Sequence, residues 1–173
     1  MSVIRQIFKG LVLDVRLERA TLPTGMTLDL EMVRHPGAAA VVAVNEHSEV
    51  TLLHQYRHAT GGFIWEIPAG KLDDNESPEH CAARELQEEA GLHAGELIRL
   101  GAIFTAPGFC DEKIHLLLAR NLSPVAQQLE ADEVLTIDHF SMQQALAMIR
   151  AGAIEDAKSI AGLHHAAAYL GIA

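Results

Sequence analysis

The sequence specifies an α/β protein, a mixed sheet with helices on both faces, preceded by a small antiparallel β unit. Three observations carry this expectation. AAAVVAV at 38–44 is an unbroken apolar run, the pattern of a strand buried on both faces. Apolar and polar residues alternate at 11–18 and again at 28–33, the period of half-buried strands. A capped helix at 78–90 interrupts the strands, and two further helical stretches close the chain, so helices must be shared between the faces of a sheet.

The elements follow in order. Leu11, Leu13, Val15 and Leu17 alternate with Val12, Asp14, Arg16 and Glu18, and Leu28, Leu30 and Met32 alternate with Asp29, Glu31 and Val33. Leu22-Pro23-Thr24-Gly25 turns the chain between them. Two or three strands in some 35 residues cannot bury much surface alone, so this unit must pack on the main domain or on another subunit. His35-Pro36-Gly37 marks a boundary, giving a unit over 1–36 and a main domain over 37–173. In the main domain, the run at 38–44 and a strand at 50–56 form a hairpin-like pair across a polar turn. A short strand at 63–67 is stopped by Pro68. Strands follow at 97–105, 113–119 and 134–140, with a turn at 106–109 and a loop at 121–130. Ser141 caps a helix to Arg150 with Gly152 past its end, and 154–170 is a last, alanine-rich helix.

The chain has 173 residues, enough for one domain with a small appendage. No apolar run approaches the roughly 18–20 residues of a membrane span, and MSVIRQIFKG lacks the apolar core of a signal peptide. Two cysteines, Cys81 and Cys110, without C-x-x-C spacing imply reduced thiols and a cytoplasmic protein. A formal net charge of -10 argues against duplex nucleic acid as a partner. It does not argue against phosphorylated small molecules, because a bound cation inverts the local sign. The ten histidines are scattered and form no H-E-x-x-H.

The chemistry concentrates in GKLDDNESPEHCAARELQEEAGL, residues 70–92. Ser77 suits the N-cap, Pro78 the first helical position, Glu79 the positive end of the helix dipole and Gly91 the left-handed position past the end. Ala82, Leu86 and Ala90 make the buried stripe. Glu85, Glu88 and Glu89 stand at i, i+3 and i+4, where like charges repel, with only Arg84 close by. A hard divalent cation accounts for such a cluster. Mg²⁺ takes a few carboxylates, keeps several waters and binds substrate phosphates; Mn²⁺ is open as well.

This stretch resembles the Nudix hydrolase signature, G-x5-E-x7-R-E-U-x-E-E-x-G-U with U a bulky aliphatic residue. Gly70, Glu76, Arg84, Glu85, Leu86, Glu88, Glu89, Gly91 and Leu92 match every fixed position. The resemblance implies a Nudix α/β/α sandwich with the signature helix on one face. It implies Mg²⁺ held by Glu85, Glu89 and the Ala69 carbonyl, with Arg84 and Glu88 as further catalytic residues of the box.

Upstream, Gln55-Tyr56-Arg57 and Trp65-Glu66-Ile67-Pro68-Ala69-Gly70 resemble the ADP-ribose pyrophosphatase branch of the family. In that branch the arginine, here Arg57, contacts the diphosphate, and the glutamate, here Glu66, contacts the nucleotide side. Guanidinium suits that task independently, since it binds phosphate bidentately and stays charged. Pro107, fifteen residues beyond Leu92, with Gly108, Phe109 and Glu112, extends the resemblance, and Glu112 would contact a ribose hydroxyl. A loop carboxylate in Glu130-Ala131-Asp132-Glu133 would act as general base, Glu133 being favoured over Glu130. The implied substrate is a nucleoside diphosphate sugar, ADP-ribose first, cleaved to AMP and ribose 5-phosphate. A GDP-mannose or broader nucleotide-sugar hydrolase is the alternative, and a non-catalytic nucleotide-sensing Nudix domain is the alternative of another class. Relatives in this branch are homodimers that set the N-terminal β unit against the partner subunit.

Overall fold

The computed structural model describes residues 2–172. The chain divides into two compact units, residues 1–37 with 104–113, and residues 38–103 with 114–173.

The N-terminal unit is an antiparallel sheet in the order β1-β2-β3, from β1 (Ser2–Lys9), β2 (Asp14–Thr21) and β3 (Thr27–Arg34). The alternation at 28–33 appears in β3, where Leu28, Leu30 and Met32 are half-buried between exposed Asp29 and Glu31. The strand expected at 11–18 is displaced. Residues 10–13 are a turn closed by the Gly10 N–H on the Leu13 carbonyl at 2.8 Å, and the strand runs from Asp14. Its partner β1 was not anticipated. Register shifts between Val3 and Arg5 and between Gln6 and Phe8 interrupt the two-residue period that would have marked it. Residues 104–113 join this unit: Phe109 O accepts from Val33 N at 2.7 Å, and the Arg34 guanidinium donates to Asp111 at 2.7 Å and to Glu18.

The larger unit holds the remaining elements, β4 (Ala38–Ala43), β5 (Glu49–Arg57), β6 (Gly62–Glu66), β7 (Ala69–Lys71), α1 (Pro78–Ala90), β8 (Leu92–Phe104, its last residue assigned to the other unit), β9 (Lys113–Pro124, likewise its first), β10 (Leu135–Ser141), α2 (Met142–Arg150) and α3 (Ala157–Leu170). They form a mixed sheet in the order β7-β4-β9-β8, in which β4 and β9 are parallel, and an antiparallel sheet in the order β10-β5-β6. The all-apolar β4 explains the layering. Ala38, Ala40 and Val42 project into a core with Met142, Leu146, Leu163 and Ala166 of α2 and α3. Ala39, Val41 and Ala43 project into a second core with Ala82, Leu86 and Ala90 of α1. One strand thus supplies both faces, the α/β/α layering that a wholly apolar run implies.

One pairing and three boundaries differ from the sequence reading. Residues 38–44 and 50–56 are not a hairpin pair: β4 and β5 lie in different sheets and share one bridge, Val44 to Val50. β8 begins directly after Gly91, and β9 runs on to Pro124 into the expected loop. The last helix starts at Ala157, where Asp156 caps it by accepting from Ser159 N. Among the described residues no helix is long and apolar enough to cross a membrane.

Candidate active site

α1 begins and ends where its sequence dictates. Ser77 Oγ accepts from His80 N at 3.2 Å, Pro78 opens the helix, and Gly91 at φ 63° closes it with its N–H on Gln87 and Leu86 carbonyls. Cys81, Ala82, Leu86 and Ala90 bury one stripe. The adjoining stripe carries Glu85 and Glu89, both buried, and the half-exposed Glu88.

The β7 backbone packs against these acids. Ala69 N–H donates to Glu89 Oε2 at 2.9 Å. A Cβ on Gly70 would lie 1.8 Å from Glu85 Oε1, so only glycine lets this carboxylate rest on the chain. Burial pushes Glu89 up to about 8. The charges of Glu85 and Glu133 add to the rise, and the Ala69 amide opposes it. Burial likewise raises Glu85 against the opposing pull of Arg84.

Arg84 is the hub on the outer side. Its guanidinium grips Glu76 through two bonds of 3.0 Å, and also donates to Glu85 at 2.6 Å, Glu88 at 3.0 Å and the Lys71 carbonyl at 3.2 Å. Glu76 is held down to about 2, chiefly by Arg84. Arg84 and Glu76 therefore brace the turn before α1 against the helix, while Glu85 and Glu88 each share the same guanidinium.

On the neighbouring sheet, Arg57 of β5 and Glu66 of β6 form a bidentate pair, two bonds of 2.8 Å. Glu66 is 3% exposed and also accepts from Lys158 Nζ at 2.6 Å. Burial alone would raise Glu66; Arg57 and Lys158 outweigh it and hold the carboxyl below the usual glutamate range. Lys158 also donates to Asp156 at 3.0 Å, and Asp156 accepts from Ser159 Oγ, which in turn accepts from Ile67 N at 2.8 Å. The start of α3 is thus tied to the segment leading into Ala69 and Gly70. Sequence reading missed Lys158 and Asp156. The available signal was that Lys158 is the sole lysine or arginine after Arg150. Glu66 spends its oxygens inside the protein, on the residue expected to hold the diphosphate, whose own side chain stays 41% exposed.

The loop after β9 is fastened to the end of α1. Val125 N donates to Gly91 O at 2.8 Å, Gln128 N to Glu88 O at 3.0 Å, and Gln127 Nε2 to Glu89 O at 2.6 Å. These bonds satisfy carbonyls the helix end leaves over. The loop continues to a turn in which Glu133 Oε2 accepts from Glu130 N at 2.7 Å. Of the two candidate bases, Glu133 is the one whose charge is felt at Glu85 and Glu89, and Glu130 is exposed.

Pro107, Gly108 and Glu112 belong to the N-terminal unit. Pro107 and Gly108 form an exposed turn, and Glu112 accepts from Thr105 Oγ1 at 2.9 Å and faces His35 Nε2 at 3.5 Å.

The donors of the larger unit suit a hard divalent cation. Two buried carboxylates sit against backbone; Arg84 answers Glu85 at 2.6 Å, whereas Glu89 has only the Ala69 amide, and burial pushes both carboxyls up. Among the described residues no three His, Cys, Asp or Glu side chains are grouped so as to hold a metal ion by themselves.

Comparison with known proteins gives the class. The model of the NUDIX domain matches residues 33–163, and the chain belongs to the Nudix family. Its fold is that of a structure described as an ADP compounds hydrolase, with TM-score 0.83 at 20% identity over 98% of this chain and 94% of that one. Among relatives, the ADP-ribose pyrophosphatase of Bacillus subtilis (strain 168) is 40% identical over 156 residues, 89% of this chain and 84% of its own length. The GDP-mannose pyrophosphatase of Cronobacter sakazakii (strain ATCC BAA-894) is 33% identical over 155 residues, 79% of this chain and 80% of its own. The chain is a Nudix hydrolase.

Proposed function

We propose that this protein hydrolyses the diphosphate bond of ADP-ribose and related nucleoside diphosphate sugars, with Mg²⁺, or Mn²⁺ in its place, as cofactor. The observation that supports it most is the pair Glu85 and Glu89, buried without a cationic partner for Glu89 and pressed on the Ala69-Gly70 backbone. Glu85, Glu89 and the Ala69 carbonyl would hold the ion. When bound, it neutralises the diphosphate and makes water a better nucleophile. Arg57, fixed by Glu66, presents its exposed guanidinium edge to the diphosphate. Glu133 takes the proton of the attacking water, and Arg84 keeps Glu85 and Glu88 oriented. The 40% identity to an ADP-ribose pyrophosphatase supports ADP-ribose as the first reading, and the likeness to a GDP-mannose pyrophosphatase supports GDP-sugars as the second.

The active form is a cytoplasmic homodimer built through the N-terminal unit. β1 is an edge strand exposed along its whole length, with Val3 54%, Ile4 43%, Ile7 44% and Phe8 55% exposed. Long apolar edges of this kind are covered in stable proteins. Light scattering at micromolar concentration should give a dimer; a monomer there rejects this part.

A panel of ADP-ribose, GDP-mannose and UDP-glucose, read by phosphate release after phosphatase coupling, tests the function. Turnover that requires Mg²⁺ or Mn²⁺ and is fastest with ADP-ribose is expected. Fastest turnover of GDP-mannose selects the second reading, and no turnover of any member rejects both.

A further inference from the structure

Gln55 Oε1 is the buried side-chain oxygen that, among the described residues, has no hydrogen-bond partner. The residue is 3% exposed and lies on β5, the central strand of its sheet. Natural proteins rarely leave such an acceptor unmatched, because burial strips its water and returns nothing.

Its neighbours say what the oxygen faces. Strand alternation puts Leu53, Gln55 and Arg57 on one side of β5. Leu53 packs in the core of α1 with Ala82 and Leu86, and Arg57 is close enough for its charge to be felt at Glu89. Gln55 stands between them. Across the ladder it pairs with Leu135, two residues after Glu133, and Tyr56 N holds Val134 O at 2.9 Å. The helix that packs on this face, α1, carries Glu85 and Glu89, and Glu133 lies two residues before the ladder partner of Gln55. In the ionised state in which they would hold a cation, carboxylates only accept hydrogen bonds, so none of them then satisfies an amide oxygen. A hydrated divalent cation can serve both, because the carboxylates bind the ion and its waters donate outward.

We propose that Gln55 Oε1 is a further oxygen acceptor of the cation site, taking a hydrogen bond from the hydration shell of the ion held by Glu85 and Glu89. This rests on the cation-dependent reading above and extends it to a residue outside the signature helix. Its effect is on the affinity and order of the bound ion; it transfers no proton.

Mn²⁺ binding to the full chain without substrate, read by electron paramagnetic resonance, tests it alongside melting with and without Mg²⁺. Gln55→Leu removes the acceptor at similar volume. Its metal-free melting temperature should equal or exceed the wild-type value, its Mn²⁺ affinity should fall about tenfold or more, and its Mg²⁺-induced rise in melting temperature should shrink. Gln55→Glu, which retains an oxygen, should bind Mn²⁺ at least as well as wild type. Gln55→Met serves if the leucine variant does not fold. Wild-type Mn²⁺ affinity in a folded Gln55→Leu or Gln55→Met overturns the proposal. Unchanged affinity with a raised KM for ADP-ribose overturns it too and assigns the oxygen to substrate. If the wild-type chain binds no Mn²⁺, the cation reading fails and this inference fails with it.

Discussion

Glu18 in the N-terminal unit and Glu89 in the larger unit are equally hidden from solvent, 3% and 2% exposed. Their electrostatics are opposite. Arg34 donates to both oxygens of Glu18 and also to Asp111, and Arg34 holds the Glu18 carboxyl below the usual glutamate range. Glu89 has one backbone donor, from Ala69, and burial drives it up to about 8. A hidden acid whose charge is answered within the protein ties elements together. A hidden acid whose charge is unanswered costs stability and persists where a ligand supplies the missing charge. By that criterion Glu18, Glu66 and Glu76 read as structural, and Glu89, with Glu85 one turn before it on α1, as the candidate metal site.

The largest expected effect breaks the comparison in both directions. Glu89→Gln should lower kcat about a thousandfold or more without lowering the melting temperature, since a neutral amide is easier to bury. Glu18→Gln should do the reverse: a loss of about 1–3 kcal/mol of stability, because Arg34 loses a charged partner, with kcat changed less than about threefold. Steady-state kinetics and thermal melts on both variants check this. An active Glu89→Gln, or a Glu18→Gln as stable as wild type, contradicts it.

The same contrast holds for apolar residues. Leu86→Ala empties part of the core under α1, where the side chain is fully buried, and should cost about 2–5 kcal/mol in urea unfolding. Leu11→Ala in the N-terminal turn removes a fully exposed side chain and should stay within about 0.5 kcal/mol. Next in size is Lys158→Met. It removes one of two cations on Glu66 and so loosens the group that orients Arg57. KM for ADP-ribose should rise about tenfold with a smaller change in kcat; an unchanged KM would show that Arg57 needs no such support.

The smallest effect is in pH. Glu76 has its folded pKa depressed from 4.5 to about 2. A depressed acid contributes stability that is present in full above its unfolded pKa and lost as pH falls through the folded one. Wild type should therefore lose stability relative to Glu76→Gln between about pH 4.5 and 2, the two curves running parallel above pH 5.5. Parallel curves throughout would show that the Arg84 pairing is not differential between folded and unfolded states.

The sequence made α1 legible because its signals are local: Ser77 and Pro78 at one end, Gly91 at the other, and carboxylates at fixed spacing between. β4 was legible because a strand buried on both faces needs no alternation. β1 was not, since its register shifts remove the period and its partner strand lies beyond a turn. The split of β4 and β5 into different sheets was hidden because a polar turn between two strands reads as a hairpin whichever sheet each joins. At the site, the fixed spacing of the box pointed to Glu85 and Glu89, and a short local element to Arg57. Lys158 and the Asp156–Ser159–Ile67 chain lay outside such signals, because the partners are about ninety residues apart and meet only through tertiary packing.

The central claim is that the unanswered Glu89 carboxylate, together with Glu85 on α1, makes a cation-dependent diphosphatase. Its most direct measurement is chromatography of ADP-ribose after incubation with the wild-type chain, in Mg²⁺ and then with excess EDTA. AMP and ribose 5-phosphate in equal amounts with Mg²⁺, and intact ADP-ribose with EDTA, is the result this account predicts. Equal cleavage in both conditions, or intact ADP-ribose in both with Mn²⁺ also failing, contradicts it.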